Sequence, residues 1–234
     1  MLNQWISDEL MLNIARENNL SETAFVVKEE NLYHLRWFTP AGEIDFCGHA
    51  TLGTSFVLFN YYSLNENRIE FKTKVGNMIV YRKGEFIEMN FPRYDLHPVE
   101  VTDLMEEALG VRPIEAYKDR DLLMILEDED LVRYLQPNHD KIRLLDGVCV
   151  AVSAKGKEYD CVSRVFAPQL DIIEDSVTGS THCMIGPYWA NRLHVNELTA
   201  FQASKRTGIL KIKVESTRVN ISGQATLFSL QTLL

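Results

Sequence analysis

The chain has 234 residues, 46% hydrophobic and 24% charged, a globular balance long enough for one large domain or two small ones. Its 24 Lys and Arg stand against 33 Asp and Glu, a formal charge of −9 that repels phosphate backbones and anionic lipid. Nucleic acid and membrane surfaces are therefore excluded as expected partners.

Apolar runs are short. Ser55–Phe59 stops at Asn60, far below the ~20 residues of a membrane span. Met1–Asp8 has neither a basic nor an apolar leader pattern, so no secretory signal is expected. Cys47, Cys149, Cys161 and Cys183 form no C-x-x-C pair. That spacing suggests neither a zinc site nor a disulfide framework, and free thiols in a cytoplasmic protein are the simplest expectation.

In chain order, Ser7 caps a first helix with Asp8 and Glu9 in its first turn. Leu10, Met11, Ile14 and Ala15 form its apolar face, and Asn18-Asn19 ends it. Thr23–Val27 and Leu32–Phe38 read as strands, and from Gly48 to Tyr62 the pattern is that of a helix buried on most sides. Strands follow at Ile69–Thr73, Met78–Arg82 and Phe86–Phe91, with turns at Val75-Gly76-Asn77 and Lys83-Gly84-Glu85. Thr102 caps a helix closed by Gly110. Leu122–Leu126, Val148–Val152 and Cys161–Phe166 read as strands, with short helices near Asp128–Leu135 and Asp140–Leu145. A second apolar helix runs from Ser180 to Arg192, and strands close the chain at Gly208–Val214, Arg218–Ile221 and Ala225–Leu230.

One pattern occurs twice. Arg36-Trp37-Phe38-Thr39-Pro40 matches Arg164-Val165-Phe166-Ala167-Pro168. An acidic loop follows each, with Glu43 and Asp45 in the first and Asp171, Glu174 and Asp175 in the second. Each loop leads to a glycine turn, Gly48-His49-Ala50 or Gly179-Ser180-Thr181, that opens an apolar helix. Four features in one order imply two similar domains meeting near Pro92–Val101.

A glycine turn at a helix start presents unpaired N–H groups on a positive dipole end, which suits a carboxylate or phosphate; glycine there also simply permits close packing. Asp45, Cys47 and His49 surround the first turn, and Asp175, Ser180 and His182 the second. His49 has the chemistry to donate to a substrate oxygen or transfer a proton near pH 7, or to pack as an ordinary His. Asp175 suits either a site or a helix cap. A thiol nucleophile at Cys47-Gly48-His49 is disfavoured, because side chains two apart at a helix start are expected to diverge. Glu22 lies among Leu20, Ala24 and Phe25. Desolvation there would raise its pKa toward neutrality and suit a proton shuttle, whereas a solvated loop position would not.

Asn18–Phe25, Glu43–Thr51 and Glu174–Ser180 resemble the signatures of the phenazine-biosynthesis isomerase (PhzF) family in order and spacing, over essentially the whole chain. The resemblance implies an α+β, diaminopimelate-epimerase-like fold. Two pseudo-symmetric domains, 1–96 and 97–234, would each carry a curved, mostly antiparallel sheet around a central helix, with the active site between them. The last strand is left open to join the N-terminal domain. Family members begin with a strand and a Gly-Asn-Pro loop, whereas this chain starts almost at the first helix, so a first-sheet strand is expected to be missing.

By the same resemblance Glu22 is the general acid/base that moves a proton between carbons, and His49 and Asp175 assist transfer or orient the substrate. Gly48, Ala50, Gly179 and Ser180 bind the substrate. No metal or organic cofactor is implied, and a homodimer is expected. Related racemases use two thiols; here Cys47 occupies the first position and Asp175 the second, which favours a single-carboxylate isomerase of a small carboxylic acid. A racemase or epimerase, or a non-catalytic carboxylate-binding protein on the same fold, are the alternatives.

Overall fold

The computed structural model describes residues 1–62, 65–170 and 172–231. Two compact units emerge, Met1–Asn90 with Ser222–Leu234, and Phe91–Ile221.

In the first unit, α1 (Asp8–Asn18) starts where the Ser7 hydroxyl accepts the Leu10 N–H at 3.2 Å. It ends on Asn19 in the left-handed conformation, which Asn tolerates because its short side chain bonds locally. Met11 and Ala15 are buried against Phe25 and Phe38. Leu10, expected on that face, is exposed. A three-residue step from Ser7 puts it over the cap, off the stripe.

The strands β1 (Thr23–Glu29), β2 (Leu32–Thr39), β4 (Arg68–Thr73), β5 (Gly76–Lys83) and β6 (Phe86–Pro92) lie in the order β1-β2-β4-β5-β6, with β3 (Gly42–Ile44) beside β2. Along β2, Tyr33 and Leu35 are buried between half-exposed neighbours, the alternation of a strand with one core face, and Trp37, Phe38 and Thr39 are all buried at its end. Leu2 makes a parallel bridge to Val27 at the edge of β1. The helix α2 (Gly48–Tyr61) packs on β1. Its buried stripe is Gly48, Thr51, Ser55, Leu58 and Phe59, narrower than the expected all-round burial. The Thr51, Thr54 and Ser55 hydroxyls donate to carbonyls one turn back, so the polar groups on this apolar helix are satisfied locally.

The second unit contains β7 (His97–Val99), α3 (Asp103–Leu109), β8 (Glu115–Lys118), β9 (Leu122–Ile125), α4 (Glu129–Arg133), α5 (His139–Ile142), β10 (Val150–Lys155) and β11 (Cys161–Ala167). A short 3-10 turn, β12 (Ile172–Asp175), α6 (His182–Leu193), β13 (Glu197–Gln202), β14 (Gly208–Val214) and β15 (Arg218–Gly223) complete it. Its strand order is β15-β14-β13-β11-β10-β9-β8-β7, with β12 on β11. The pairs β9–β10 and β11–β13 are parallel, and β9 is buried along its whole length, as strands covered on both faces are. The sequence Ala225–Leu230 forms no strand; Phe228 is 98% exposed there, so its apolar residues gain no core.

The helix α6 packs on β13 and β14 and is buried continuously from His182 to Ala190. Pro187 lies inside it. Proline has no N–H, so the Cys183 carbonyl four residues back loses its helical partner. The Tyr94 N–H donates to that carbonyl at 3.3 Å instead.

The internal repeat is structural. In each unit the strand carrying R-x-F-x-P turns back into a short strand, β3 or β12, where a loop is expected from sequence. Arg36 forks onto Glu43, with Nε and NH2 each 2.8 Å from a carboxylate oxygen. Arg164 forks onto Glu174 at 2.6 and 3.0 Å. Each guanidinium also lies over the Phe two residues on, at 5.1 Å for Phe38 and 5.2 Å for Phe166. Such bidentate pairs hold three- and four-residue strands that backbone bonding alone would hold poorly. The Arg36 guanidinium keeps the Glu43 carboxyl down at about 2. Asp171 lies outside the described residues.

Candidate functional site

One group of candidate residues is built in the first unit, at the start of one strand and of one helix. Glu22 immediately precedes β1. Cys47 is the N-cap of α2, in an extended conformation (φ −146°, ψ 115°) with no side-chain cap bond. Because Cys47 is extended while His49 is helical, their side chains converge; Cys47 Sγ lies 3.8 Å from His49 Nε2. The divergence expected from helical geometry at this pair does not occur. The same His49 Nε2 lies 2.6 Å from Glu22 Oε2, an ion-pair separation. The Glu22 side chain is 6% exposed and that of His49 is 29% exposed.

Burial is the largest influence on the Glu22 carboxyl and acts to raise its pKa. Hydrogen bonding and charge from His49, with smaller help from Ser21 and Cys47, outweigh it and hold the carboxyl below the usual range. The raised pKa expected from desolvation alone is thus reversed, because the partner ring sits in the same pocket. Burial pushes the Cys47 thiol up, so it is a protonated thiol at neutral pH and a poor nucleophile. Glu22 also lines a cavity of about 270 Å³ whose walls include Ala24, Ala50, Gly53 and Val57. Gly48 and Ala50 therefore sit at the helix start with His49, and Ala50 reaches the same cavity as Glu22.

A second group of candidate residues lies in the second unit. Asp175 ends β12 and accepts the Thr178 hydroxyl at 2.6 Å. Gly179 and Ser180 are buried in the turn before α6, which begins at His182, two residues after the expected Ser180. The N–H groups of His182, Cys183 and Met184 donate to the carbonyls of Gly179, Ser180 and Thr181. Helical bonding therefore starts as a tight turn at Gly179.

Two residues that organise this turn escaped the sequence reading. Gln202 accepts the Thr178 N–H at 2.7 Å and donates to the Asp175 carbonyl at 2.7 Å, closing the loop between them. It lies on β13, where every second residue is buried; that alternation was the available signal. Asp121 is fully buried and accepts the Thr181 hydroxyl at 2.7 Å and the Cys149 N–H at 3.1 Å, with Arg120 at 3.3 Å. Burial drives its pKa up. No local pattern marks it, since Cys149 and Thr181 are 28 and 60 residues away.

His182 is structural. Its ring is wholly buried, donates from Nδ1 to the Thr178 carbonyl at 2.6 Å, and lies 3.2 Å from the Ser163 hydroxyl at Nε2. Burial lowers its pKa from 6.5 to about 4. Above pH 6.5 the ring is neutral in both folded and unfolded chains, and the full stability is present. As pH falls from 6.5 through 4, the unfolded chain takes up a proton that the folded chain refuses. Stability then drops by about 3 kcal/mol. Urea unfolding at pH 7, 5.5 and 4.5 should show this slope, and His182→Asn should flatten it.

Gly208 also packs against this group of residues. A Cβ there would lie 2.2 Å from Val177 Cγ2, inside the Asp175–Gly179 loop. Gly208→Ala is expected to cost about 1–3 kcal/mol and to shift the Thr178 and Gly179 amide resonances.

A protein-family model described as phenazine biosynthesis-like protein matches residues 1–230. An uncharacterized isomerase of Pseudomonas aeruginosa is 44% identical over 227 residues, covering 97% of this chain and 87% of that protein. Phenazine biosynthesis-like domain-containing protein 2 of Mus musculus is 36% identical, covering 97% and 89%. Among solved structures, a PhzF-family protein of Enterococcus faecalis superposes with TM-score 0.95 at 47% identity, covering 97% and 88%. A probable proline racemase of Agrobacterium radiobacter shares the fold alone, with TM-score 0.64 at 9% identity. The fold is thus the expected α+β, epimerase-like one, and among the described residues no helix is long and apolar enough to cross a membrane. The chain belongs to the phenazine biosynthesis-like (PhzF) family and to the isomerase class of enzymes.

Proposed function

We propose that this protein is a cofactor-independent isomerase of a small carboxylic acid, with Glu22 as the group that carries a proton from one carbon to another. The observation that carries this reading is the Glu22 carboxylate, 6% exposed and 2.6 Å from His49 Nε2. The two influences on Glu22 match the two halves of such a shuttle. His49 favours the ionised form, which must take the proton, and burial favours the neutral form, which must hold it.

In the proposed step a C–H bond next to a carbonyl, carboxylate or alkene breaks. Its proton goes to Glu22 and its electron pair enters the conjugated system. Glu22–H then protonates a second carbon and returns to the carboxylate. His49 stabilises the negative charge developing on a substrate oxygen. The same reading gives Asp175 an orienting role and makes Gly48, Ala50, Gly179 and Ser180 substrate-binding positions. A homodimer in the cytoplasm is part of the proposal.

The test is NMR in D₂O with the wild-type protein and a panel of small carboxylates, including dihydro-hydroxyanthranilate and common amino acids. Deuterium uptake at carbon with a double-bond shift supports the isomerase. Uptake with inversion at one carbon would make it an epimerase. Saturable binding with neither uptake nor a double-bond shift across the panel would favour a carboxylate-binding protein.

A further inference from the structure

The side chains that converge around His49 form a set that a proton shuttle alone does not require. Glu22, Cys47 and His49 offer an oxygen, a sulfur and a nitrogen, all within 4.8 Å of one another. Glu22 Oε2 is a buried oxygen held 2.6 Å from His49 Nε2. We propose that these three residues form a binding site for a borderline-soft divalent cation of the Zn²⁺ type, and that its binding shuts the proton shuttle off.

The donor set decides the metal class. Thiolate and imidazole select Zn²⁺ over Mg²⁺ or Ca²⁺, which prefer oxygen alone. The geometry needs shifts on the order of 1 Å. Bonds of ~2.3 Å to sulfur and ~2.0–2.1 Å to nitrogen or oxygen in a tetrahedron place sulfur and nitrogen ~3.5 Å apart, and nitrogen and oxygen ~3.4 Å apart. The sulfur–nitrogen separation is already 3.8 Å. The nitrogen–oxygen separation must widen from 2.6 Å, and the sulfur–oxygen separation, within 4.8 Å, must settle at ~3.6 Å. Three protein ligands leave the fourth position open, to water or to a carboxylate arriving through the adjoining cavity.

Binding balances as follows. The metal displaces the thiol proton of Cys47, and the proton of His49 where the ring carries one. Sulfur, nitrogen and oxygen lone pairs become metal bonds, and no electron is transferred. Inhibition rests on the proposed role of Glu22, because its oxygen can no longer accept a substrate proton. The metal site itself does not depend on that role, and its test uses no turnover.

The experiment titrates the full chain, stripped by chelator, with Zn²⁺ and with Co²⁺, beside Cys47→Ala and His49→Asn. The expected results are one Zn²⁺ per chain, proton release on binding, and no displacement by millimolar Mg²⁺. Co²⁺ should give a thiolate-to-cobalt charge-transfer band that Cys47→Ala abolishes and His49→Asn shifts or weakens. Absence of that band in the folded wild-type protein, or unchanged Zn²⁺ affinity in both variants, would overturn the site. His49 is partly exposed, so His49→Asn keeps the test decisive if Cys47→Ala misfolds. With a substrate in hand, Zn²⁺ should suppress deuterium uptake and chelator should restore it. Uptake undiminished at saturating Zn²⁺ would overturn the inhibitory role while leaving the metal site standing.

Discussion

Glu22→Gln should lower carbon-bound proton exchange by about 10²–10⁴-fold, a barrier increase of about 3–5 kcal/mol. Gln has nearly the volume of Glu and reaches as far, so the cavity and the start of β1 should persist. What it lacks is the charge that takes up a proton. The His49 contact is also weakened, since an amide oxygen attracts the ring less than a carboxylate does. That loss should cost no more than about 2 kcal/mol of stability. Exchange rates from NMR and a thermal melt on the same preparation separate the two effects. A folded Glu22→Gln protein that exchanges at the wild-type rate would remove Glu22 from the mechanism.

Asp121→Ala should destabilise the second unit by about 3–5 kcal/mol, the cost of stripping one partner from a buried charged network. Three groups lose their acceptor together: the Thr181 hydroxyl, the Cys149 N–H and the Arg120 guanidinium. Thr181 is the N-cap of α6 and follows Ser180 directly. The local consequence is therefore a loosened Gly179–Thr181 turn, visible as faster amide hydrogen exchange at Cys183 and Met184. Asp121→Asn keeps one oxygen for the Cys149 N–H and should lose only part of this. Urea denaturation of the two variants measures the difference. Equal stability of Asp121→Ala and wild type would show that the network contributes nothing net.

The elements that sequence revealed best were those whose chemistry is local. Ser7, Thr102 and Gly110 mark helix ends because a cap is made by neighbours in the chain. Gly208–Val214 was legible to the residue because its apolar residues alternate. The strands β3 and β12 were not. Their three and four residues are acid-rich, and their stability comes from arginines on the neighbouring strand. Ala225–Leu230 erred in the other direction, since a strand-like composition found no core to bury in.

The candidate site divides in the same way. Glu22, His49 and Asp175 stand in recognisable motifs, and Glu22 and His49 lie 2.6 Å apart. The convergence of Cys47 on His49 depends on an extended N-cap, which residue spacing does not encode. The sign of the Glu22 shift likewise depends on where the His49 ring lies. A cysteine-spacing rule does not register a sulfur, nitrogen and oxygen set assembled from Cys47, His49 and a glutamate 25 residues earlier.

The central claim is that one sheltered carboxylate both takes and returns the proton. The direct measurement uses the carboxylate identified by exchange, deuterated at the donor carbon and turned over in H₂O under single-turnover conditions. A proton held on a side chain only 6% exposed should not equilibrate fully with solvent before it is returned. The account predicts product carrying deuterium at the acceptor carbon, with no such product from Glu22→Gln. Product containing only solvent protium at the acceptor carbon, at every reaction time, would contradict a single shuttling Glu22.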